Sequence, residues 1–266
     1  MSRLYKVLIW LVILTIVAGF SIQSYYLPSK AWSEPRELLV SAAVSLKEAF
    51  EELAMIFNNK YGVKIIFNFG ASGLLQKQIE FGASVDVFAS AGENQMDILQ
   101  SKGLIVEETR KDFARNAIVI VKPKNSAVVI SSIDDLQKKE FKLIAIGNPA
   151  TVPAGYYTKM ILDQTGLWEK LRPKLLYTEN VQHVLTYIKR GEADAGFVYL
   201  SDLPGGKNSF VCPYVIPVEN QPNIVYPIAV TRNSLASDMG QAFIELVRSD
   251  IGRKILVEHG FGVPEK

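Results

Sequence analysis

Short apolar runs alternate with amphipathic helical segments along most of this 266-residue chain. Leu38–Ala42 is predicted to be a short buried strand, and the apolar residues from Leu46 to Phe57 recur at helical spacing. The same alternation continues from Val63 to Leu200. Strands that alternate with helices form a mainly parallel sheet that is covered by helices on both faces. The sequence therefore predicts an α/β fold.

The alternating units fall into two sets, which separate near Val119 and Ile228. We expect two lobes: residues 34–118 together with 228–266 form lobe 1, and residues 119–227 form lobe 2. The chain then crosses twice between the lobes. Because ligands bind such sheets outside the carboxyl ends of the strands, the loops that follow the strands are the candidate site.

Residues 1–33 differ in character from the rest of the chain. Arg3 and Lys6 precede an apolar run of fourteen residues, Val7 to Phe20. A membrane span needs about 20 apolar residues, whereas the hydrophobic region of a secretory signal peptide has about 7–15. We predict a signal peptide, with an uncleaved anchor through residues 7–22 as the alternative. In both cases the remainder is exported to the periplasm or another extracytoplasmic compartment.

Charge and residue counts exclude several classes of protein. The chain has 29 Lys and Arg residues against 27 Asp and Glu residues, a formal charge of +2. Three of the basic residues and none of the acidic ones lie in residues 1–33, so the remainder carries −1. A nucleic-acid binder would show a basic face. One Cys and two His residues exclude a disulfide scaffold and a zinc site built from Cys and His.

Ser or other small residues follow four predicted strands, each at the start of a helix. Ser45 opens a capping-box pattern with Glu48, and Ser72 is a candidate N-cap. Pro153 and Asn180 mark two more helix starts. A single Ser at such a position usually only caps its helix. Four helix N-termini together form a place for an anion that is held by backbone N–H groups and hydroxyls.

Catalytic motifs are missing from the sequence. It contains no Gly-x-Ser-x-Gly, no phosphate-binding Gly-x-x-x-x-Gly-Lys-Ser/Thr and no His-Glu-x-x-His. His183 and His259 are its two imidazoles, and His183 is expected on a helix surface. A hydrolase that used Ser45 would need His183 as its base. We therefore expect a binding protein and not an enzyme, with a hydrolase on the same fold as the less favoured alternative.

The candidate loops resemble those of the bacterial molybdate-binding periplasmic proteins of molybdate ABC transporters, the ModA family. The resembling stretches occur in the family's order from about residue 38 to the C-terminus; they are Ser41–Leu46, Phe69–Ser72, Asp86–Ala91, Gly147–Tyr156, Glu179–Val181 and Gly196–Asp202. The resemblance implies a two-lobed periplasmic-binding-protein fold of type II, which closes on an oxyanion like a hinge. It also implies capture of molybdate and tungstate for the permease and ATPase of an ABC transporter, by a monomer without a cofactor.

The resemblance also implies the residues that surround the oxyanion. Carried over by motif, they are Ser45, Ser72, Ala154, Val181 and Tyr199. They would contact oxygen atoms, so that no residue coordinates the metal directly. Gly73 stands where the family often has a polar residue, and this change is expected to loosen the second loop.

Another tetrahedral oxyanion stays open as the alternative ligand. Phosphate is partly protonated at neutral pH, so its site benefits from an acceptor carboxylate, and Glu179 is the one candidate in these loops. Sulfate differs from molybdate mainly in size, which a sequence does not measure. An amino-acid ligand would need a bidentate Arg, which these loops lack.

Overall fold

The computed structural model describes residues 37–203 and 210–264. The described residues form ten strands and eight α-helices. The strands are β1 (Glu37–Ala43), β2 (Lys64–Gly70), β3 (Val87–Ala89), β4 (Lys111–Asn116), β5 (Ile118–Pro123), β6 (Ile144–Gly147), β7 (Leu175–Thr178), β8 (Ala195–Tyr199), β9 (Phe210–Val215) and β10 (Ile224–Val230). The helices are α1 (Lys47–Tyr61), α2 (Ser72–Glu80), α3 (Glu93–Ser101), α4 (Pro153–Gln164), α5 (Trp168–Leu171), α6 (Val181–Arg190), α7 (Ser237–Arg248) and α8 (Asp250–Glu258).

Two predicted segments, the signal peptide at residues 1–33 and most of the turn at 203–209, lie outside the described residues. Within the described ranges, the helices are all too short or too polar to cross a membrane.

The strands form two five-stranded sheets with matching architectures. The first has the order β2-β1-β3-β10-β4 and the second the order β7-β6-β8-β5-β9. In each sheet four strands run in one direction and one is reversed: β10 in the first sheet and β5 in the second. The predicted two-lobed α/β fold is confirmed, and its sheets are mixed because the first strand after each crossing runs antiparallel to its neighbours.

The two crossings lie close to the ends of the reversed strands. Ala117 is the single residue between β4 and β5, and the chain returns between Val215 and Ile224. The chain therefore re-enters the first sheet at Ile224. The sequence predicts this return four residues later, at residue 228.

Helix α1 shows how the sequence builds the first lobe. Its apolar stripe includes Phe50 and Phe57, which are both fully buried. The Phe50 ring meets the Phe243 ring of α7 edge to face, with centroids 5.5 Å apart. Complete burial of such a side chain stabilises the fold by about 1.5–3 kcal/mol. The helix ends at Gly62, whose φ of 65° is the left-handed conformation that glycine adopts without strain.

Candidate functional site

The loops after five strands meet at one small cavity between the two sheets. Its walls come from both lobes; the lining residues are Ala43, Val44, Ser45, Gly70, Ala71, Ser72, Ala91, Val152, Pro153, Asn180, Val181 and Tyr199. The centre of a water-sized sphere can lie anywhere within about 10 Å³ of this cavity, so the cavity is small. Four of the five predicted site residues, Ser45, Ser72, Val181 and Tyr199, therefore line one cavity.

Ser45 does not cap a helix, contrary to the capping-box prediction. A 3-10 turn at Val44–Leu46 separates β1 from α1, and neither this turn nor α1 has a side-chain cap at its N-terminus. The extra turn displaces Ser45 from the N-cap position. Its Oγ lies 3.2 Å from the hydroxyl oxygen of Tyr226 in β10, so the side chain pairs with a residue far along the chain.

Ser72 does not cap α2 either, because it is the first residue of that helix and Ala71 is the N-cap. The Ser72 side chain is fully buried. Its Oγ accepts a hydrogen bond from the backbone N–H of Ala91 at 3.0 Å. The Ser72 hydroxyl has one proton, and the bond from the Ala91 N–H uses only a lone pair of its oxygen. The proton of Ser72 is therefore free to be donated into the cavity.

The second lobe contributes the N-termini of α4 and α6. Pro153 is the first residue of α4, as predicted, and Asn180 is the N-cap of α6, where its Oδ1 accepts from the His183 N–H at 3.0 Å. Val181 follows Asn180 in the cavity wall. Ala154 is fully buried behind Pro153 and is not among the described residues that line the cavity. The first amides of a helix have no intrahelical partner, so both helix starts present donors.

Tyr199 is buried at the end of β8, and its hydroxyl is already paired. This hydroxyl donates to the carbonyl oxygen of Ala91 at 2.9 Å, a bond that joins the two lobes. Burial, followed by the neighbouring Tyr226, raises the pKa of Tyr199 well above its usual value. The side chain is therefore a neutral donor. It would have to release Ala91 before it could donate to a ligand, since it has one proton.

Further contacts hold the lobes together beside the cavity. The backbone N–H of Gly73 donates to the carbonyl oxygen of Thr151 at 3.0 Å. Tyr157 of α4 lies against α3, where burial raises its pKa to about 12 and a hydrogen bond with the Glu93 backbone opposes this rise. That Gly73 loosens its loop stays a prediction, but the structure shows what the missing side chain permits. A Cβ on Gly73 would lie 2.5 Å from the Thr151 oxygen, so glycine is what permits the close contact.

Asp202 is a buried acid next to the cavity. Its Oδ2 accepts from the Tyr199 N–H at 2.9 Å, and its Oδ1 has no hydrogen-bond partner within the described part of the chain. Burial raises the pKa of Asp202 from 3.8 to about 7, an effect that the Tyr199 N–H opposes and the Glu48 charge reinforces. Asp202 ends one of the stretches that resemble the ModA family, but nothing in the sequence indicates that its side chain is buried.

A larger cavity of about 820 Å³ adjoins the small one, and Val44, Ser45 and Asn180 line both. The larger cavity also has charged residues of both signs in its wall. The side chains of Lys47 and Glu48 are 54% and 78% exposed, respectively. This cavity is therefore a solvated groove, whereas the small one is walled by neutral groups.

Sequence reasoning missed four residues around the cavity: Ala91, Asn116, Thr151 and Tyr226. Asn116 and Tyr226 lie on β4 and β10 and are 110 positions apart in the sequence, yet the Asn116 Nδ2 donates to the Tyr226 hydroxyl at 3.0 Å. Ala91 lies in a resembling stretch, so its position could have been found. Tyr226 lies in a continuous apolar run, where a buried hydroxyl gives no signal in the sequence.

Two α/β lobes that enclose a small neutral-walled cavity at their helix N-termini define a solute-binding protein. The chain belongs to the family of bacterial extracellular solute-binding proteins, whose model matches residues 38–262. Members of this family are described as extracellular solute-binding proteins, and the chain shares that extracytoplasmic location.

Individual relatives and solved structures agree with this assignment. The molybdate-binding protein ModA of Escherichia coli is 32% identical over 254 residues, which are 94% of this chain and 98% of that protein. The periplasmic molybdate-binding protein of Azotobacter vinelandii superposes with a TM-score of 0.77 at 24% identity, covering 86% of this chain and all of that one. The sulfate-binding protein SubI of Mycobacterium tuberculosis has a TM-score of 0.73 at 15% identity, covering 85% and 86%. The fold is thus shared by proteins named for different oxyanions.

Proposed function

We propose that this protein captures molybdate, and also tungstate, between its two lobes and delivers it to the permease of an ABC transporter. The observation that carries the proposal is the pair of serine hydroxyls, Ser45 and Ser72, at a cavity where helices of both lobes begin. Neither hydroxyl caps a helix. Ser72 is the acceptor in its bond with Ala91 and keeps its proton for a ligand, and Ser45 keeps its proton when Tyr226 donates to it.

The cavity wall carries no charge, so a dianion bound there would be held by neutral hydrogen-bond donors. Tyr199 is the one ionisable side chain among its described lining residues, and its raised pKa keeps it neutral. Hydrogen bonds to a charged group are worth about 1.5–3 kcal/mol each. Several neutral donors can therefore hold a dianion without a cationic side chain, and helix N-termini add favourable dipoles.

Each predicted site residue has a distinct part in this proposal. Ser45 and Ser72 donate their hydroxyl protons from lobe 1, and the backbone N–H groups of Ala154 and Val181 donate from lobe 2. Tyr199 donates after its hydroxyl leaves the Ala91 carbonyl. Ala154 would reach the ligand only through its backbone, since its side chain is fully buried. Molybdenum is held through its oxygen atoms, and no residue coordinates it directly.

The size and charge of the cavity favour some ligands over others. A cavity in which the centre of a water-sized sphere has only about 10 Å³ favours a small inorganic ion over a sugar or an amino acid, because organic ligands occupy cavities of about 300–1,000 Å³. Phosphate is disfavoured because its candidate acceptor, Glu179, has a side chain that is 81% exposed and is not part of the lining. Sulfate stays the alternative, because the fold is also that of a protein named for sulfate. The similarity to the Escherichia coli protein over 94% of this chain favours molybdate.

The partners follow from the same proposal. A solute-binding protein passes its cargo to a membrane permease that an ATPase drives, and we propose that this chain does so as a monomer. It needs no cofactor and catalyses no reaction. Residues 1–33 would export it as a signal peptide, or retain it at the membrane as an anchor through residues 7–22.

Thermal unfolding with a panel of anions tests the proposed ligand. Molybdate at 100 times its dissociation constant should stabilise the folded protein by about 2.7 kcal/mol, and tungstate should behave alike. Sulfate and phosphate at equal concentration should give much smaller shifts, and a chelator should leave the unliganded protein unchanged. Equal shifts from all four anions would remove the claim of selectivity, and a shift with sulfate alone would establish the alternative.

A further inference from the structure

We propose that Tyr226, itself held by Asn116, is a positioning residue that directs the hydroxyl proton of Ser45 toward the bound anion. This inference rests on the proposed function, because it concerns how one donor of that site is oriented. Tyr226 does not line the small cavity among its described residues. It acts through Ser45, whose Oγ is 3.2 Å from its hydroxyl oxygen.

The orientation of the Asn116 amide is fixed by backbone groups. Its Oδ1 accepts from the N–H of Ala117 at 2.9 Å and is approached by the N–H of Ser201 at 3.4 Å. A backbone N–H can only donate, so the oxygen of the amide must face these two groups. The Nδ2 group therefore faces the other way, toward the Tyr226 hydroxyl at 3.0 Å and the Ser201 Oγ at 2.8 Å.

This orientation determines what Tyr226 can do. Because Asn116 donates to it, the Tyr226 oxygen is an acceptor in that bond and keeps its own proton for another partner. The side chain is fully buried, between the rings of Tyr199 at 5.6 Å and Phe261 at 5.5 Å. Ser45 Oγ is an acceptor within hydrogen-bond distance of the Tyr226 hydroxyl.

The anion then sets the direction of the whole chain of hydrogen bonds. An oxyanion such as molybdate has only acceptor atoms, so a Ser45 hydroxyl that binds it must donate to it. Ser45 can then only accept a hydrogen bond from Tyr226, so the Tyr226 hydroxyl must be the donor of that bond. The order Asn116 to Tyr226 to Ser45 to anion satisfies each group once the anion is bound.

The position of Asn116 connects this chain of bonds to the crossing between lobes. Asn116 is the last residue of β4, directly before the crossing at Ala117, and Ser201 belongs to the second lobe. The bonds from Asn116 to Ser201 therefore fix the amide only when the lobes have their present relative position. The direction of the Ser45 hydroxyl is in this way linked to the arrangement of the lobes.

Tyr226→Phe in the full chain is the variant that tests the inference, because it removes one hydroxyl and keeps the buried ring. Asn116 keeps Ser201 Oγ as a partner, so the melting temperature without ligand should change little. Molybdate affinity, measured by calorimetric titration, should fall roughly 3- to 10-fold, the range of one neutral hydrogen bond. Tyr214→Phe, in β9, is a matched control that should bind like the parent.

A double-mutant cycle separates positioning from a general structural effect. In a Ser45→Ala background, Tyr226→Phe should have no further effect on affinity, since the group that it positions is gone. In a Tyr199→Phe background, Tyr226→Phe should still weaken molybdate binding. A Tyr226→Phe protein that binds molybdate like the parent overturns the inference, as does an equal loss with and without Ser45. A parent chain that binds none of the four anions overturns the proposed function together with this inference.

Discussion

The backbone N–H of Gly73 in α2 donates to the carbonyl oxygen of Thr151, 3.0 Å away in the other lobe. Gly73 is helical, and a Cβ built on it would lie 2.5 Å from that oxygen and 2.9 Å from the Thr151 Cα. Both are backbone atoms, which cannot turn aside as the end of a side chain can. The lobes therefore approach this closely because residue 73 has no side chain.

Gly73→Ala should weaken molybdate binding and also strain the contact between the lobes in the unliganded protein. Ala is favoured over Gly inside a helix by about 0.5–1 kcal/mol, but the new Cβ would lie 2.5 Å from the Thr151 backbone oxygen, so the unliganded protein should gain no stability. Molybdate affinity should fall at least several-fold, because the lobes cannot regain their contact at Thr151. Calorimetric titration and urea unfolding measure the two effects. Leu74→Ala, at the exposed neighbouring position, is the control; parental affinity in Gly73→Ala would show that closure does not need this contact.

Ser45→Ala tests a hydroxyl that serves the ligand and not the helix. Loss of an N-cap would cost about 0.5–2 kcal/mol of stability, but Ser45 caps neither the 3-10 turn nor α1. We expect a loss of about 1.5–3 kcal/mol in molybdate affinity, and a free energy of unfolding that falls by about 0.5–1.5 kcal/mol because the buried Tyr226 hydroxyl loses its partner. A variant that loses stability and keeps its affinity would return Ser45 to a structural role.

Ser72→Ala should lower stability more than Ser45→Ala does, because the bond of Ser72 to Ala91 is fully buried whereas the contact of Ser45 with Tyr226 is only partly buried. Its Oγ accepts from the buried N–H of Ala91, and an unpaired buried donor costs about 1–3 kcal/mol. We therefore expect a lower free energy of unfolding without ligand in addition to weaker molybdate binding. Urea unfolding of both serine variants, each with and without molybdate, makes the comparison. Equal stability of the two unliganded variants would contradict the assigned bond.

The alternation of strands and helices predicts most of the fold because apolar periodicity reports burial directly. The strands β4 and β9 are missing from the prediction. Two adjacent residues of β4, Phe113 and Ala114, are buried among polar ones, and β9 is interrupted by Pro213. Neither run shows the period of two or the continuous apolar stretch that signals a strand. Their pairing with the reversed strands β10 and β5 is a long-range property.

The candidate site was predictable to the extent that helix starts are visible in the sequence. Pro153 and Asn180 mark their helices with local chemistry, and the structure places both as predicted. The roles of Ser45 and Ser72 as caps were wrong, because one intervening turn or a shift of one residue moves a hydroxyl away from the cap position. The contacts of Tyr226 and Thr151 depend on how distant segments pack, which no local pattern encodes.

Tyr199→Phe removes a hydroxyl that joins the lobes as well as a proposed ligand donor. Its bond to the Ala91 carbonyl means that the unliganded protein should also be affected. We expect stability to fall by about 0.5–1.5 kcal/mol and affinity by up to about 3 kcal/mol. The measurement is calorimetric titration together with thermal unfolding. An unchanged affinity with reduced stability would assign the hydroxyl to the Ala91 bond alone.

Asp202 should make stability fall as the pH rises from about 4 to 7. Its pKa is raised by burial from 3.8 to about 7, so in this range the folded protein keeps a proton that the unfolded chain has released. The free energy of unfolding must therefore decrease with increasing pH, by at most roughly 4 kcal/mol for a shift of about three units, and level off above pH 7. Asp202→Asn cannot titrate, and its amide oxygen can still accept from the Tyr199 N–H.

The difference in unfolding free energy between parent and Asp202→Asn isolates this group from the other titrating residues. Urea unfolding of both proteins between pH 4 and 8 should show the variant gaining on the parent as the pH rises, most steeply between about 5 and 7. Asp194→Asn is the control, since that carboxylate accepts from the N–H groups of Lys142 and Leu143 at the surface. A constant difference between parent and Asp202→Asn over this range would mean that Asp202 is ionised in the folded protein. The free Oδ1 would then need a cationic or hydrogen-bonding partner.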